Sequence, residues 1–145
     1  MSEKYKSNKR AVGIIIQENK ILLLRRIKDG KKYFVFPGGS VEKDESVEDA
    51  LIRELKEELC VDAKIDRFLF DFYIAPNPYE IGRTSHFFLV KEFSGVPELG
   101  GPEKERMNKN NQYYPEWHNL SEALNCPTLY PEEAKVRLKQ FLIQL

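Results

Sequence analysis

Glu54, Glu57 and Glu58 stand three and four residues apart in RELKEEL, so on a helix turning about 100° per residue they share an arc of roughly 100°. Like charges at that spacing destabilise an isolated helix by about 0.2–0.5 kcal/mol per pair, and Lys56 points away from the arc. A cation is therefore expected beside them. Carboxylate oxygens at this density are hard ligands that suit Mg²⁺ or Mn²⁺. Taken alone, the three glutamates read as a solvated acidic face. Their neighbours shift the reading to a divalent-metal site: Gly38 and Gly39 can bring backbone carbonyls close to a ligand, and Glu45 and Arg53 add a carboxylate and a guanidinium.

The elements that must position these groups follow from local pattern. Ser46 to Cys60 is rich in helix formers, with Ser46 placed as N-cap and Asp49 three residues later in a capping-box-like position. Leu51, Ile52, Leu55 and Leu59 fill the arc beside the glutamates and are expected to pack on a sheet. Upstream, AVGIIIQ (Ala11 to Gln17) and ILLLRRI are β-branched or apolar runs separated by Glu18-Asn19-Lys20, which reads as a core hairpin. KYFVF follows a polar loop at Asp29-Gly30, and Pro37-Gly38-Gly39 is expected to stop that strand. Downstream, AKIDRFLFDFYI and SHFFLVKEF read as strands, YYPEWHNL as a short edge strand, SEAL as a helical turn, and PEEAKVRLKQFLIQL as a terminal helix with Pro131 in its first turn. The order β-β-β-α-β-β-(β)-α predicts an α/β fold with a mixed sheet between helices. A single domain over 1–145 is expected, with 1–8 a flexible tail.

Composition narrows the function classes. Lys plus Arg (23) equals Asp plus Glu (23), so nothing points to a nucleic-acid partner or an anionic membrane surface. No apolar run approaches the roughly 20 residues that span a bilayer, and the basic start MSEKYKSNKR lacks the apolar stretch and cleavage site of a signal peptide. Cys60 and Cys126 show no metal spacing, which reads as reduced thiols in a cytoplasm.

The string Gly39, Glu45, Arg53-Glu54-Leu55, Glu57-Glu58 and Cys60-Val61 resembles the Nudix box, G-x5-E-x7-R-E-U-x-E-E-x-G-U with U aliphatic. Every specified position matches but one: Cys60 stands where the pattern has glycine. The flanking strands and terminal helix also look like the Nudix α/β/α sandwich. The resemblance implies a Nudix (MutT-like) hydrolase that uses Mg²⁺, with Mn²⁺ as a substitute, to cleave a pyrophosphate bond in a nucleoside diphosphate derivative. It implies metal ligands at Glu57 and Glu58, a ligand or general base at Glu54, an orienting role for Arg53, and a metal-binding carbonyl at Gly38. Glu45 would support the site, and Glu103 or Glu105 in the long polar segment Gly95 to Gln112 would add a ligand. A glycine ending a helix usually adopts a left-handed conformation, so Cys60 is expected to bear on stability rather than on metal binding.

Beyond the box, Arg25, Arg26 and Arg83 are available for phosphate contacts, and Tyr113, Tyr114 and Trp117 for stacking on a base. Of these, Arg25, Arg83 and Tyr114 are the substrate-binding candidates. His86 and His118 read as structural. Two single-residue clues compete over substrate: Pro76 stands where some ADP-ribose-cleaving relatives carry proline, and Tyr79 where some dinucleoside-polyphosphate-cleaving relatives carry tyrosine. A nucleoside triphosphate stays equally open. The partner is expected to be a small nucleotide, with the protein a monomer or homodimer. The rival reading is a Nudix-fold nucleotide-binding or regulatory protein without catalysis; an interaction module with an acidic helix edge is a further one. The intact Arg53, Glu54, Glu57 and Glu58 argue against both.

Overall fold

The computed structural model describes residues 8–76, 78, 81–98, 100, 104 and 107–143. Nine strands are seen among them: β1 (Lys9–Ile14), β2 (Ile16–Gln17), β3 (Lys20–Lys28), β4 (Lys31–Val35), β5 (Gly38–Ser40), β6 (Asp62–Ile74), β7 (Arg83–Ser94), β8 (Asn111–Asn119) and β9 (Leu129–Tyr130). The helices are α1 (Val47–Leu59), α2 (Leu120–Leu124) and α3 (Glu132–Ile143). Two tight turns set the register of the first half. Glu18 and Asn19 (φ 52° and 64°) join β2 to β3, and Asp29 and Gly30 (φ 51° and 82°) join β3 to β4. Paired positive φ is the backbone whose twist matches antiparallel strands.

The expected mixed sheet between helices is present, with its strands divided between two sheets. One runs β5-β1-β7-β6, with β1 and β7 parallel. The other runs β2-β3-β4-β9, with β8 on the free side of β3 and β9 parallel to β4. The run AVGIIIQ does not act as one strand: β1 joins the first sheet, the chain breaks at Ile15, and β2 joins the second. Gly38 and Gly39 end β4 as expected but then form a strand of their own, paired antiparallel with Val12 and Ala11. YYPEWHNL lies at an edge, within a nine-residue strand paired along the whole of β3. Of the expected tail only Asn8 is described; its carbonyl accepts from Thr84 N–H at 2.9 Å, so pairing begins there.

Period-two alternation sorts the core into two layers. Leu22 and Leu24 of β3 pack with Ala11, Phe88 and Val90 against Leu51, Leu55 and Leu59 of α1. Ile21 and Leu23 face the other way and join Val12, Ile14 and Phe87 against Leu124 of α2 and Leu138 of α3. Ile52, expected in the packed face of α1, is exposed, because Ala50, Leu51, Leu55 and Leu59 already fill the buried stripe.

Candidate functional site

The helix α1 begins and ends as its sequence dictates. Ser46 Oγ accepts from Asp49 N–H at 3.0 Å, closing the first turn. At the other end Cys60 is left-handed (φ 60°, ψ 32°), its N–H donates to Lys56 O at 3.1 Å, and Val61 N–H reaches Leu55 O at 3.5 Å. The Cys60 bond is the single closing bond of a left-handed helix end, a place usually taken by glycine. Cys60 therefore holds the glycine conformation while carrying a side chain, and its thiol is free and exposed.

Arg53 is the hub of the acidic edge. Its Nε and Nη2 donate to Glu45 Oε2 and Oε1 at 2.7 and 3.0 Å, a two-point grip on a carboxylate. Nη2 also donates to Ser40 O at 3.0 Å, and Nη1 to Glu54 Oε1 at 3.1 Å and Glu57 Oε1 at 3.0 Å. Glu45 in turn accepts from Glu42 N–H at 3.0 Å, which fixes the loop that enters the helix. The Arg53 hydrogen bond is the main reason the Glu45 carboxyl titrates below its usual range. The same bond raises the guanidinium's own pKa further.

Glu54 sits in the opposite environment. Its side chain is 13% exposed, and burial pushes its carboxyl pKa up despite the opposing charge of Arg53. The space it occupies exists because Gly39 has no side chain: a Cβ there would lie 2.3 Å from the Glu54 carboxylate. Glu58 hydrogen-bonds to Glu54. Two carboxyl groups in contact need a proton or a cation between them, and an all-oxygen donor pair fits a hard divalent ion. Glu57 is half exposed and drawn to Arg53, so among the described residues no three acidic, histidine or cysteine side chains converge on one point. Glu103 and Glu105 lie outside the described residues, as does Tyr79.

A cavity of about 390 Å³ opens beside this edge, with Gly38 and Glu58 in its lining. Its other walls include Arg10, Arg26, Tyr33, Phe36, Phe87, Tyr113 and Tyr130. Strand alternation decides which expected residues reach it. Arg25 and Tyr114 do not: they pair on the other face of β3 and β8, where Arg25 Nε donates to Glu116 at 2.6 Å and its guanidinium lies 4.6 Å from the Tyr114 ring centroid. On the cavity side stand Arg26 and Tyr113 instead. The Arg26 guanidinium is held over Tyr113 (4.1 Å) and Tyr33 (5.5 Å), and Nη2 donates to Asn111 at 3.1 Å. Its buried Nε has no partner among the described residues. Arg83 donates from Nη1 to Ser40 Oγ at 3.1 Å, and its Nε is likewise buried without a partner. Trp117 stacks on Phe93 in the α1 core layer, and His118 contacts Glu116 and the Phe34 ring, so neither faces the cavity. His86 contacts Asp71 at 3.3 Å. Arg10 and Tyr130 were missed in the sequence because only the β1–β5–β7 and β4–β9 pairings bring them to the cavity.

The NUDIX domain model matches residues 7–140. The chain is 38% identical over 95 residues to an ADP-ribose pyrophosphatase of Methanocaldococcus jannaschii, covering 64% of this chain and 56% of that one. It is 39% identical over 88 residues to a CTP pyrophosphohydrolase of Escherichia coli, covering 57% and 62%. The matched stretches thus span less than two thirds of either relative. The solution structure of the E. coli ORF135 protein superposes with a TM-score of 0.72 at 26% identity, covering 96% of this chain and 91% of that one. With the box geometry on α1 and a family match across nearly all of the chain, this protein belongs to the NUDIX domain family.

Proposed function

We propose that the protein is a divalent-metal-dependent hydrolase that cleaves a pyrophosphate bond in a nucleoside diphosphate derivative. The observation that carries this is the contact of Glu54 with Glu58, which lines a cavity also walled by Arg10 and Arg26. Carboxylate oxygens able to hold a cation and guanidiniums able to meet phosphate oxygens then share one cavity, which supports this reading. The matched relatives' names, ADP-ribose pyrophosphatase and CTP pyrophosphohydrolase, support the reaction class, and family members generally use divalent metals such as Mg²⁺.

Glu54, Glu57, Glu58 and the Gly38 carbonyl would hold Mg²⁺ or Mn²⁺, Glu57 exchanging its Arg53 contact to do so. The ion supplies charge neutralisation at the phosphates and an acidified water. Glu54, whose carboxyl pKa is pushed up by burial, would take the proton from the attacking water. Arg53 keeps the glutamates in register, and Glu45 keeps Arg53 in place. Arg26, which lines the cavity, would contact phosphate oxygens of the bound nucleotide. A small nucleotide is the partner, and the free cysteines fit a reducing cytoplasm.

The test is a panel of nucleotides assayed with Mg²⁺ and Mn²⁺, with products identified by mass. Cleavage at a phosphoanhydride is expected, abolished by chelation and lowered at least about a hundredfold by Glu57→Gln with the fold intact. Full turnover after chelation, or in that variant at saturating Mg²⁺, overturns the assignment.

A further inference from the structure

We propose that the protein carries a second subsite, beyond the catalytic cavity, that takes a second nucleotide unit of the substrate. Tyr33 and Tyr130 meet edge-on, their ring centroids 6.2 Å apart at 70°. Both line the catalytic cavity, and both line a second hollow of about 520 Å³ shared with Lys31, Lys32 and Thr128. The two spaces therefore meet at this pair of rings. A ligand seated in the cavity and extended at one end passes over them into the hollow.

Strand geometry shows what the hollow offers. β9 pairs with β4 only at Phe34↔Leu129 and Val35↔Tyr130. Phe34 N–H donates to Thr128 O at 2.9 Å, so it points away from β3. Backbone directions repeat every second residue, so the Lys32 N–H points the same way, past the end of β9 and into the hollow. The two lysines, adjacent on the strand, flank it from opposite faces. Among the described residues neither makes an ion pair with a carboxylate, and Lys28 faces Lys31 across the turn. The Tyr130 ring is 47% exposed beside them. In a chain with zero net charge this hairpin, RRIKDGKK, is a local concentration of positive charge. Ammonium groups and a backbone N–H beside an exposed aromatic ring bind a phosphate with a planar base attached. A solvated hairpin tip has no need of a hollow that shares two aromatic walls with the cavity.

The inference rests on the nucleotide reading of the cavity, and the experiment separates the two. Measure kcat/KM for a nucleoside triphosphate, a dinucleoside tetraphosphate and a 5′-triphosphorylated dinucleotide, in wild type and in a Lys31→Glu, Lys32→Glu double variant. The double variant is expected to lose about tenfold or more on at least one extended substrate while staying within about twofold of wild type on the nucleoside triphosphate. The extended compound that responds identifies the linkage. Equal losses on all three, or none on either extended compound, overturn the subsite and leave the catalytic assignment standing. If none of the three is cleaved, equilibrium binding of the same compounds tests the subsite, which an unchanged Kd in the variant overturns, and the catalytic reading is decided by the wider nucleotide panel above. Should the double variant not fold, Lys31→Gln and Lys32→Gln carry the comparison.

Discussion

At the scale of single residues, the two box glycines are required for different physical reasons. A Cβ on Gly38 would sit 2.1 Å from the Ala11 carbonyl oxygen, a clash with backbone that only a moved strand could relieve. A Cβ on Gly39 would instead strike the Glu54 carboxylate, the far end of a side chain that can swing aside. Gly39→Ala is therefore expected to fold with a nearly unchanged melting temperature and to lose about a hundredfold in turnover, since a displacement of about 1 Å at a catalytic group has that effect. Thermal melts alongside initial rates decide it; intact activity would show that Glu54 does not need its place over Gly39. Cys60 gives the reverse case. Its left-handed backbone destabilises any residue with a Cβ by about 1 kcal/mol or more, so Cys60→Gly should raise stability in urea unfolding, less an offset for the freer unfolded chain, with turnover unchanged. A loss of stability would show that the thiol packs in a way its exposure hides.

Among the elements, the sequence was most legible where one period ran long enough. Helix α1, its Ser46 cap and its acidic edge follow from spacing alone, and the structure adds only that Ile52 falls outside the buried stripe. The strands were legible as strands but not as members of a sheet. AVGIII carries no polar side chain, so nothing local marks Ile15 as the point where the chain leaves one sheet for the other. The choice between Arg25 and Arg26 likewise depends on which face of β3 meets the cavity, a matter of register with β8 and β4 that no residue of β3 encodes. The clasp of Glu45 on Arg53 was underrated for a related reason: it joins the loop before α1 to the helix interior across eight residues. That clasp makes stability depend on pH. Glu45's carboxyl is held below its ordinary value in the fold, so its contribution is fully present above the unfolded pKa and disappears as pH falls through the folded one. Glu45→Gln should therefore flatten the acid limb of the stability curve below about pH 4.5, measured by urea unfolding at stepped pH. An acid limb of wild-type steepness in the variant would mean the clasp contributes nothing to folding.

For the whole molecule, the question is whether the acidic edge is a solvated surface or an unfinished site. The chain as a whole carries no net charge, yet one helix edge gathers Glu54, Glu57 and Glu58, with Arg53 paired to Glu54 and Glu57. Burial raises the Glu54 pKa in spite of that guanidinium, so keeping this carboxylate charged in the fold is unfavourable, and a divalent cation beside it would offset that. Because the unfolded chain does not hold the carboxylates together, binding acts on the native state alone, and the fold gains about 2.7 kcal/mol at a metal concentration one hundred times Kd. For a domain of this size that corresponds to a rise in melting temperature of roughly 5–10 °C. Calorimetric scans with Mg²⁺ or Mn²⁺ against an ionic-strength-matched monovalent salt should show the rise, and a Glu54→Gln, Glu58→Gln double variant should lose it. That double variant removes the buried charge as well as the ligands, so its melting temperature without metal should stand at or above that of the wild type. A metal-induced rise that survives in the variant would place the ion elsewhere on the molecule, and identical midpoints in wild type with and without millimolar metal would return the edge to a solvated acidic face.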